Sequence, residues 1–373
     1  MDTHSDLVVV GAGILGLAHA LAAARRGLKV TVIDRDAQAN GASIRNFGFV
    51  TITGQQDGDC WRRAMRSREV WAEIAPQAGI RIEHTGLGVA VRHPESLPVL
   101  EAFLKTGMGE RCELLSARQA RERMPVLRED AVRAVLWSPH ELRVESRDAI
   151  PKLAAWLESA HGVQILRQVK VLGIDLPTVE TSAGRLTAQA AVVCPGDDFV
   201  SLYRDRIAAY GLTRCALQML RVRPAQPARL GAALMSDPSL VRYLGWSELP
   251  ESRALRERIE HESPELLAHG IHLIAVQSAD GSMVVGDCHV YADTPPPFAS
   301  EAVDDLILRE LDAVTDLPGR VVTERWMGTY ASANDRLMLV DRPAERVRLA
   351  IVSSGTGAST SFAIAEEVLG ELI

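Results

Sequence analysis

The sequence predicts an α/β fold: a parallel sheet covered by helices on both faces, built from three separated stretches of chain. Two insertions interrupt it and form an α+β unit with a mainly antiparallel sheet. Three observations predict this arrangement. Val8, Val9 and Val10 form an unbroken apolar run before a glycine turn and a helical pattern; Ala190 to Cys194 is a second such run; and Val347 to Val352 leads through a small-residue loop into a final helix. Apolar runs without alternation mark strands covered on both faces, and strands that alternate with helices mark parallel pairing. A chain of 373 residues with 47% hydrophobic content can bury more than one core, which favours two domains over one.

In chain order, the opening reads as a strand from Asp6 to Val10, a tight turn from Gly11 to Gly16, a helix from Ile14 to Arg26 ended by Gly27, and a strand from Lys29 to Asp34. Trp61, Ala64, Met65, Arg68, Trp71, Ile74 and Ala75 then recur at helical spacing, with Arg62, Arg63 and Arg66 elsewhere on the wheel. Short alternating segments from about Gly86 to Val144, with a helical piece at Ala117 to Arg123, read as an inserted sheet. Ser146 to His161 is expected as a helix with Ile150, Leu153, Ala154 and Leu157 on one face, followed by extended chain from Val163 to Ile174.

The strand Ala190 to Cys194 ends in Pro195-Gly196-Asp197. From Ala216 to about Arg320 a separate layer is expected, holding strands at His272 to Gln277 and Ser282 to Gly286, and a helix from Ser300 to Val314 behind Pro295-Pro296-Pro297. The close reads as the strand Val347 to Val352, a loop from Ser353 to Thr360 and a helix from Ser361 to Leu372. On this reading residues 1–85, 146–215 and 322–373 form one domain, and 86–145 with 216–321 the other.

Forty-one Lys and Arg against 48 Asp and Glu leave a net charge of -7, which argues against nucleic acid as a partner. The apolar stretch Leu7 to Ala24 follows Asp2 and Asp6 and is cut by glycines, unlike a signal segment with its basic start. No run stays apolar for the roughly 18 residues a membrane span needs. Cys60, Cys112, Cys194, Cys215 and Cys288 are scattered with no C-x-x-C pair, so isolated thiols in a reducing cytoplasm are expected, and no metal site.

Gly11-Ala12-Gly13-Ile14-Leu15-Gly16 is a G-x-G-x-x-G motif between a strand and a helix, the context that gives it weight. Gly11 permits the turn, Gly13 lets backbone approach a pyrophosphate, and Gly16 lets helix and strand pack closely. The N–H groups at the start of the helix, from Ile14 on, then point at the phosphates. Asp34, eighteen residues after Gly16 and followed by Arg35, is placed to accept hydrogen bonds from ribose hydroxyls. The domain is therefore expected to be a Rossmann-type dinucleotide site.

That motif does not separate FAD from NAD. Ser353-Ser354-Gly355-Thr356-Gly357-Ala358 aims a second set of backbone N–H groups at one point, which suits the pyrimidine end of a flavin, where negative charge gathers on reduction. An NAD enzyme has no use for this second anion site. The alternative reading is a small-residue turn at a helix start.

Five stretches together resemble the D-amino-acid oxidase superfamily, in the same order over nearly the whole chain: the N-terminal motif, Gly41-Ala42-Ser43-Ile44-Arg45-Asn46-Phe47-Gly48, Val193-Cys194-Pro195-Gly196, Trp326-Met327-Gly328, and Ser354-Gly355-Thr356-Gly357. Glycine oxidase and monomeric sarcosine oxidase are its familiar shapes. The resemblance implies FAD lying extended between two domains, with the ring facing a pocket built from the inserted pieces. It further implies that Ser43, Arg45, Asn46, Phe47 and Gly48 approach pyrophosphate and ring, that Val169 contacts the adenine side, and that Pro195 and Gly196 belong to the cofactor site.

Departures from the family bear on substrate. Sarcosine oxidases tether the flavin through a cysteine at the place of Gly328, so non-covalent FAD is expected here. Where glycine and D-amino-acid oxidases carry a carboxylate-binding arginine, this chain has Tyr330; where sarcosine oxidases use a lysine in the closing loop, it has Ser359. The lysine that assists oxygen in sarcosine oxidases has Val284 and Val285 on the comparable strand. A different group must then hold any substrate anion, the candidates being Arg45, Arg62, Arg66, His272 and His289. Ser359 remains a candidate substrate-binding residue.

The segment Ser43 to Gly54, with Gly286 to Tyr291, is similar to a bacterial branch associated with phosphonate breakdown. This implies 2-aminoethylphosphonate or its N-methyl derivative as substrate. The chemistry implied is oxidation of a small amine's C–N bond, with Tyr330, His289 and Arg45 as candidates to orient or deprotonate it, and O2 or another electron acceptor reoxidising the flavin. Alternatives are a glycine, sarcosine or D-amino-acid oxidase or dehydrogenase, a nicotinamide-dependent dehydrogenase, and a non-catalytic flavin-binding or RNA-modification module.

Overall fold

A computed structural model describes residues 4–373; Asp2, part of the acidic start, lies outside them. Leu7, Val8 and Val9 are fully buried in the strand His4–Val10, which has partners on both sides. The first sheet runs in the order Met338–Ala344, Val347–Val352, Gly184–Val193, His4–Val10, Val30–Ile33 and Gln164–Leu166. Its four inner pairings from Val347–Val352 to Gln164–Leu166 are parallel, so the beginning, middle and end of the chain meet in one sheet. A hairpin of Val171–Asp175 and Thr178–Thr181 attaches to Gly184–Val193.

Helices Ile14–Ala24, Asp59–Gln77, Ser146–His161 and Gly357–Leu372 pack around this sheet over a core that includes Leu17, Leu21, Trp71, Ile74, Leu153, Leu157 and Phe362. Trp71 joins two of them: its ring meets Phe362 edge-on, and its indole N–H donates to the carbonyl of Ala358 at 2.8 Å. That bond fixes the start of the closing helix. The helix Ser146–His161 has the boundaries the sequence predicts and buries Ile150, Leu153, Ala154 and Leu157 together.

The second sheet has the order Val290–Ala292, Thr213–Arg223, Met283–Gly286, Ile274–Gln277, Ala233–Ser236, Ile82–Val91, Ala134–Val144 and Phe49–Val50. Its pairings are antiparallel apart from Ala233–Ser236 with Ile82–Val91. The helix Glu301–Val314 lies against one side of it, with Ile307 and Leu311 in a core shared with Leu220 and Val285. Phe49, Leu217, Met219 and Trp246 belong to a core on the other side.

Three local differences from the sequence reading have physical causes. The closing helix begins at Gly357, four residues before Ser361, because Thr356 accepts at its carbonyl from Ser359 and Thr360 N–H and so starts a helical turn. The small residues that suggest a loop thus build the first turn. The stretch Val163 to Ile174 is broken at Gln168, whose φ of 58° turns the chain, and its halves pair with different neighbours. The strand Val321–Ser332 pairs along Thr213–Arg223 and so lies in the second sheet, and the expected boundary at 322 falls inside it.

All five cysteines are free thiols. Among the described residues no helix is long and apolar enough to cross a membrane.

Candidate active site

Between the two sheets lies a cavity of about 560 Å³, within the range usual for a bound small molecule. At one end is the first glycine turn. A Cβ on Gly11 would stand 2.4 Å from the carbonyl oxygen of Cys194, and Gly11 has φ +99°, a conformation that favours glycine. A Cβ on Gly16 would stand 1.8 Å from the Gly11 oxygen, so helix and strand could not approach as they do. Gly13 is different: its φ of -75° is ordinary, and a Cβ would meet only the Ser43 hydroxyl at 3.0 Å. Space, not backbone strain, selects glycine there.

Ile14 N–H donates to Ser43 Oγ at 2.9 Å, which lays the Gly41–Gly48 segment across the start of the helix. Asp34 accepts Ala12 N–H on Oδ2 at 2.6 Å and Asp36 N–H on Oδ1 at 2.8 Å, leaving each oxygen further acceptor capacity toward the cavity. Val169 N–H donates to the Asp34 carbonyl at 3.0 Å. Arg35 forms an ion pair with Asp198 beyond it. Pro195 and Gly196 line the cavity alongside these residues.

The other glycine-rich turn is close by. A Cβ on Gly357 would lie 3.6 Å from Ile14 Cγ2, so the two helix starts adjoin, and Gly355, Thr356 and Ala358 line the same cavity. A Cβ on Gly355 would lie 3.1 Å from Tyr330 Cζ, which sets the Tyr330 ring directly on this turn. Arg45 donates to Asn40 Oδ1 at 3.0 Å, and its carbonyl accepts the Trp326 indole N–H at 3.1 Å. That carbonyl would be 2.9 Å from a Cβ on Gly328, so this position has no room for a cysteine side chain without movement.

Asn46 folds on its own segment, accepting Gly48 N–H at 2.6 Å and donating to the Ala42 carbonyl at 2.7 Å. Phe47 packs on Gly286 of the second sheet. Gly48 shapes the segment without lining the cavity: a Cβ there would stand 1.8 Å from the Val144 oxygen.

Beyond Tyr330 the cavity reaches a chamber walled by the second sheet and lined by Arg242, Tyr243, His272, Asp287, His289 and Tyr291. His272 Nε2 is 3.3 Å from Asp287 Oδ1, and His289 Nε2 is 3.9 Å from Asp287 Oδ2. The imidazole rings stack with centroids 5.2 Å apart. His289 Nδ1 is 2.9 Å from the Gly270 carbonyl, which can only accept, so the proton sits on Nδ1 and Nε2 faces Asp287 bare. Burial, reinforced by the Arg242 charge, holds both histidines well below their ordinary range and keeps them neutral. Burial pushes the Asp287 carboxyl up to about 7, against the pull of Arg242.

Arg242 is partly buried and donates to the Tyr291 hydroxyl at 2.9 Å; among the described residues no carboxylate lies within 4.0 Å of it. Burial also holds the Tyr330 hydroxyl protonated, well above the usual tyrosine range. His272, Asp287 and His289 could bring three ligand atoms within 4.8 Å of one another. The Arg242 charge acts on the same three groups and opposes a dication there.

Two of the arginine candidates for the substrate anion lie elsewhere. Arg62 pairs with Asp59, and Arg66 with Glu69 and Glu366, on the exposed side of the helix Asp59–Gln77, where carboxylates already satisfy them. Ser359 is on the cavity wall, but its hydroxyl accepts Thr51 N–H at 2.9 Å and ties the closing helix to the second sheet. Sequence reasoning missed Arg242, Asp287 and Tyr291. Asp287 and Tyr291 flank His289 within the segment already singled out, whereas nothing around Arg242 separates it from a surface arginine.

Residues 6–370 match the model of the DAO family, described as FAD dependent oxidoreductase. The chain belongs to that family. Monomeric sarcosine oxidase from Bacillus sp. (strain B-0618) is 25% identical over 205 residues, which are 52% of this chain and 52% of that protein. The chain thus spans about half the length of the curated sarcosine oxidases it matches.

Among solved structures, L-proline dehydrogenase from P. horikoshii aligns with a TM-score of 0.78 at 19% identity, covering 99% of this chain and 93% of that one. Glycine oxidase from Geobacillus kaustophilus aligns at 0.77 with 18% identity, covering 99% and 94%. These likenesses show the fold. FAD, the cofactor in the description of the family, fits the cavity observed here: side-chain-free floors at Gly11, Gly13 and Gly355, and two adjoining helix starts.

Proposed function

We propose that this member of the DAO family binds FAD non-covalently along the cavity and oxidises the C–N bond of a small amine carrying an acid group. An aminoalkylphosphonate, 2-aminoethylphosphonate or its N-methyl derivative, is the substrate class put forward. The N–H groups from Gly13 to Gly16 would hold the pyrophosphate and Asp34 the ribose hydroxyls, with Val169 beside the adenine. The start of the closing helix, from Gly355 to Ala358, would face the pyrimidine end of the ring. Bound there, FAD supplies the acceptor for a hydride from the carbon next to nitrogen.

Arg242 is the observation that carries the acid-group reading. A guanidinium that lines the chamber with no carboxylate within 4.0 Å of it calls for an anion from the ligand. It supplies the cationic anchor that Tyr330 and Ser359 do not. Arg242, Tyr291 and His272 line the chamber from three separate stretches of chain, and a phosphonate has three oxygens to offer them. Tyr330, packed on Gly355, and His289 would wall the amine in; Arg45 lies beyond the Trp326 contact and would act on the cofactor side.

The product on this reading is an imine that water hydrolyses to an aldehyde and an amine or ammonia, with O2 reduced to H2O2. Anaerobic bleaching of the yellow protein tests it: aminoethylphosphonates should reduce the flavin faster than glycine, sarcosine or D-alanine, and the opposite order rejects the phosphonate. One peroxide per amine consumed supports an oxidase; turnover that needs an artificial acceptor points to a dehydrogenase.

A further inference from the structure

We propose that Asp287, flanked by His272 and His289, is the catalytic residue that takes the proton a substrate ammonium must lose before its C–H bond breaks; this rests on the amine-oxidation reading above. A simple aliphatic amine arrives protonated at neutral pH, and nitrogen needs its lone pair to form the C=N bond. In the step assigned here an N–H bond of the ammonium breaks and an O–H bond forms on the carboxylate, with no change of oxidation state. Hydride loss to FAD, already part of the reading, follows from the neutral amine.

The geometry singles out this carboxyl. Asp287 is 4% exposed and lines the chamber, and its Oδ1 accepts no hydrogen bond, His272 Nε2 standing 3.3 Å away out of bonding alignment. A buried carboxylate oxygen with no donor is costly, and an N–H from a bound ligand is the partner that would satisfy it. His289 holds its own proton on the Gly270 side, so it presents Nε2 to Asp287 as a second proton-accepting position. His272 stacks on His289 and closes the other side.

The groups whose charge or proximity bears on Asp287 are Arg242, Tyr243, Cys215, Cys288, His272 and His289, and Arg242 alone among them carries a charge near neutrality. Burial and Arg242 act in opposite directions on the carboxyl and leave it near 7, so both of its states are accessible. Tyr330 is held protonated, and each histidine is disfavoured as a cation beside Arg242. Proton acceptance needs the ionised form, so flavin reduction should speed up as pH rises through about 7.

The test is anaerobic stopped-flow reduction of the FAD-loaded enzyme by 2-aminoethylphosphonate from pH 5.5 to 10, in wild type and Asp287→Asn. The expected result is a wild-type rise centred near 7, a loss of roughly 100-fold in Asp287→Asn at pH 7.5, and a deficit that narrows as pH nears the substrate's own amine pKa. A merely structural role would lower the rate equally at every pH. If Asp287→Asn does not retain FAD, wild type decides alone, using amines of different basicity. A midpoint that stays with the enzyme supports the proposal, and one that follows the amine overturns it. Unchanged rates and pH profile in Asp287→Asn also overturn it. Flavin that no small amine reduces at any pH refutes the functional reading itself, a separate outcome.

Discussion

Replacing Arg242 by methionine removes a positive charge from the chamber while keeping most of the side chain's volume. Among the described residues its one hydrogen bond within the protein is to the Tyr291 hydroxyl, so folding should lose no more than about 1 kcal/mol. Binding should lose far more. Two charge-assisted bonds from a guanidinium to a phosphonate contribute about 3–4 kcal/mol together, and the substrate anion would be left in a site that burial makes hostile to it. That corresponds to roughly 100- to 1,000-fold weaker binding.

The assay is perturbation of the bound flavin's spectrum by ethylphosphonate, which has the acid group and no amine and so reports binding without turnover. Arg242→Lys keeps the charge but not the fork, and should fall between wild type and Arg242→Met. An uncharged ligand without an acid group, such as propionamide, should bind both variants as it binds wild type. Equal weakening for the acidic and neutral ligands would refute the assignment of Arg242 as the anion anchor.

Gly13→Val should leave the apoprotein folded, because φ there is -75° and the added carbon meets only the Ser43 hydroxyl, yet it should abolish FAD retention on gel filtration; a yellow variant contradicts the cradle. Asp287 also makes stability depend on pH. Its carboxyl rises from 3.8 in the unfolded chain to about 7 in the fold, so its stabilising share is complete below pH 4 and is lost as pH climbs through 7, about 4 kcal/mol in all. Denaturant unfolding at pH 4 and pH 8 should therefore show the advantage of wild type over Asp287→Asn shrinking by that order, and a constant difference contradicts the shift. Arg62→Ala and Arg66→Ala remove exposed ion pairs and should leave kcat/KM for 2-aminoethylphosphonate within about twofold; a large rise in KM would return these residues to the substrate site.

The proposed cofactor half of the cavity is legible because its determinants are local. Gly11, Gly13, Gly16 and Asp34 sit at spacings set by one turn and one strand, so the chain order of the residues already is their spatial order. The closing Gly355-Thr356-Gly357 turn is equally visible, although the helix already opens at Gly357, since capping and helix continuation use the same small side chains.

The proposed substrate chamber is legible only in part. His272 and His289 lie on or beside strands the sequence identified, and both reach the chamber. Arg242 lies in a connection, and its place is decided by how the second sheet folds over the cavity; no local pattern announces it. Arg62 and Arg66 misled for the same reason in reverse. Their helix was read correctly, but the partner that claims Arg66, Glu366, lies three hundred residues away in sequence.

If backbone amides from both ends of the chain hold one flavin dinucleotide, as proposed, the flavin content of the isolated, FAD-reconstituted protein reports it directly. The account predicts one isoalloxazine per chain by absorbance, released unmodified into the supernatant when the protein is unfolded. A protein that carries no isoalloxazine after reconstitution would contradict it.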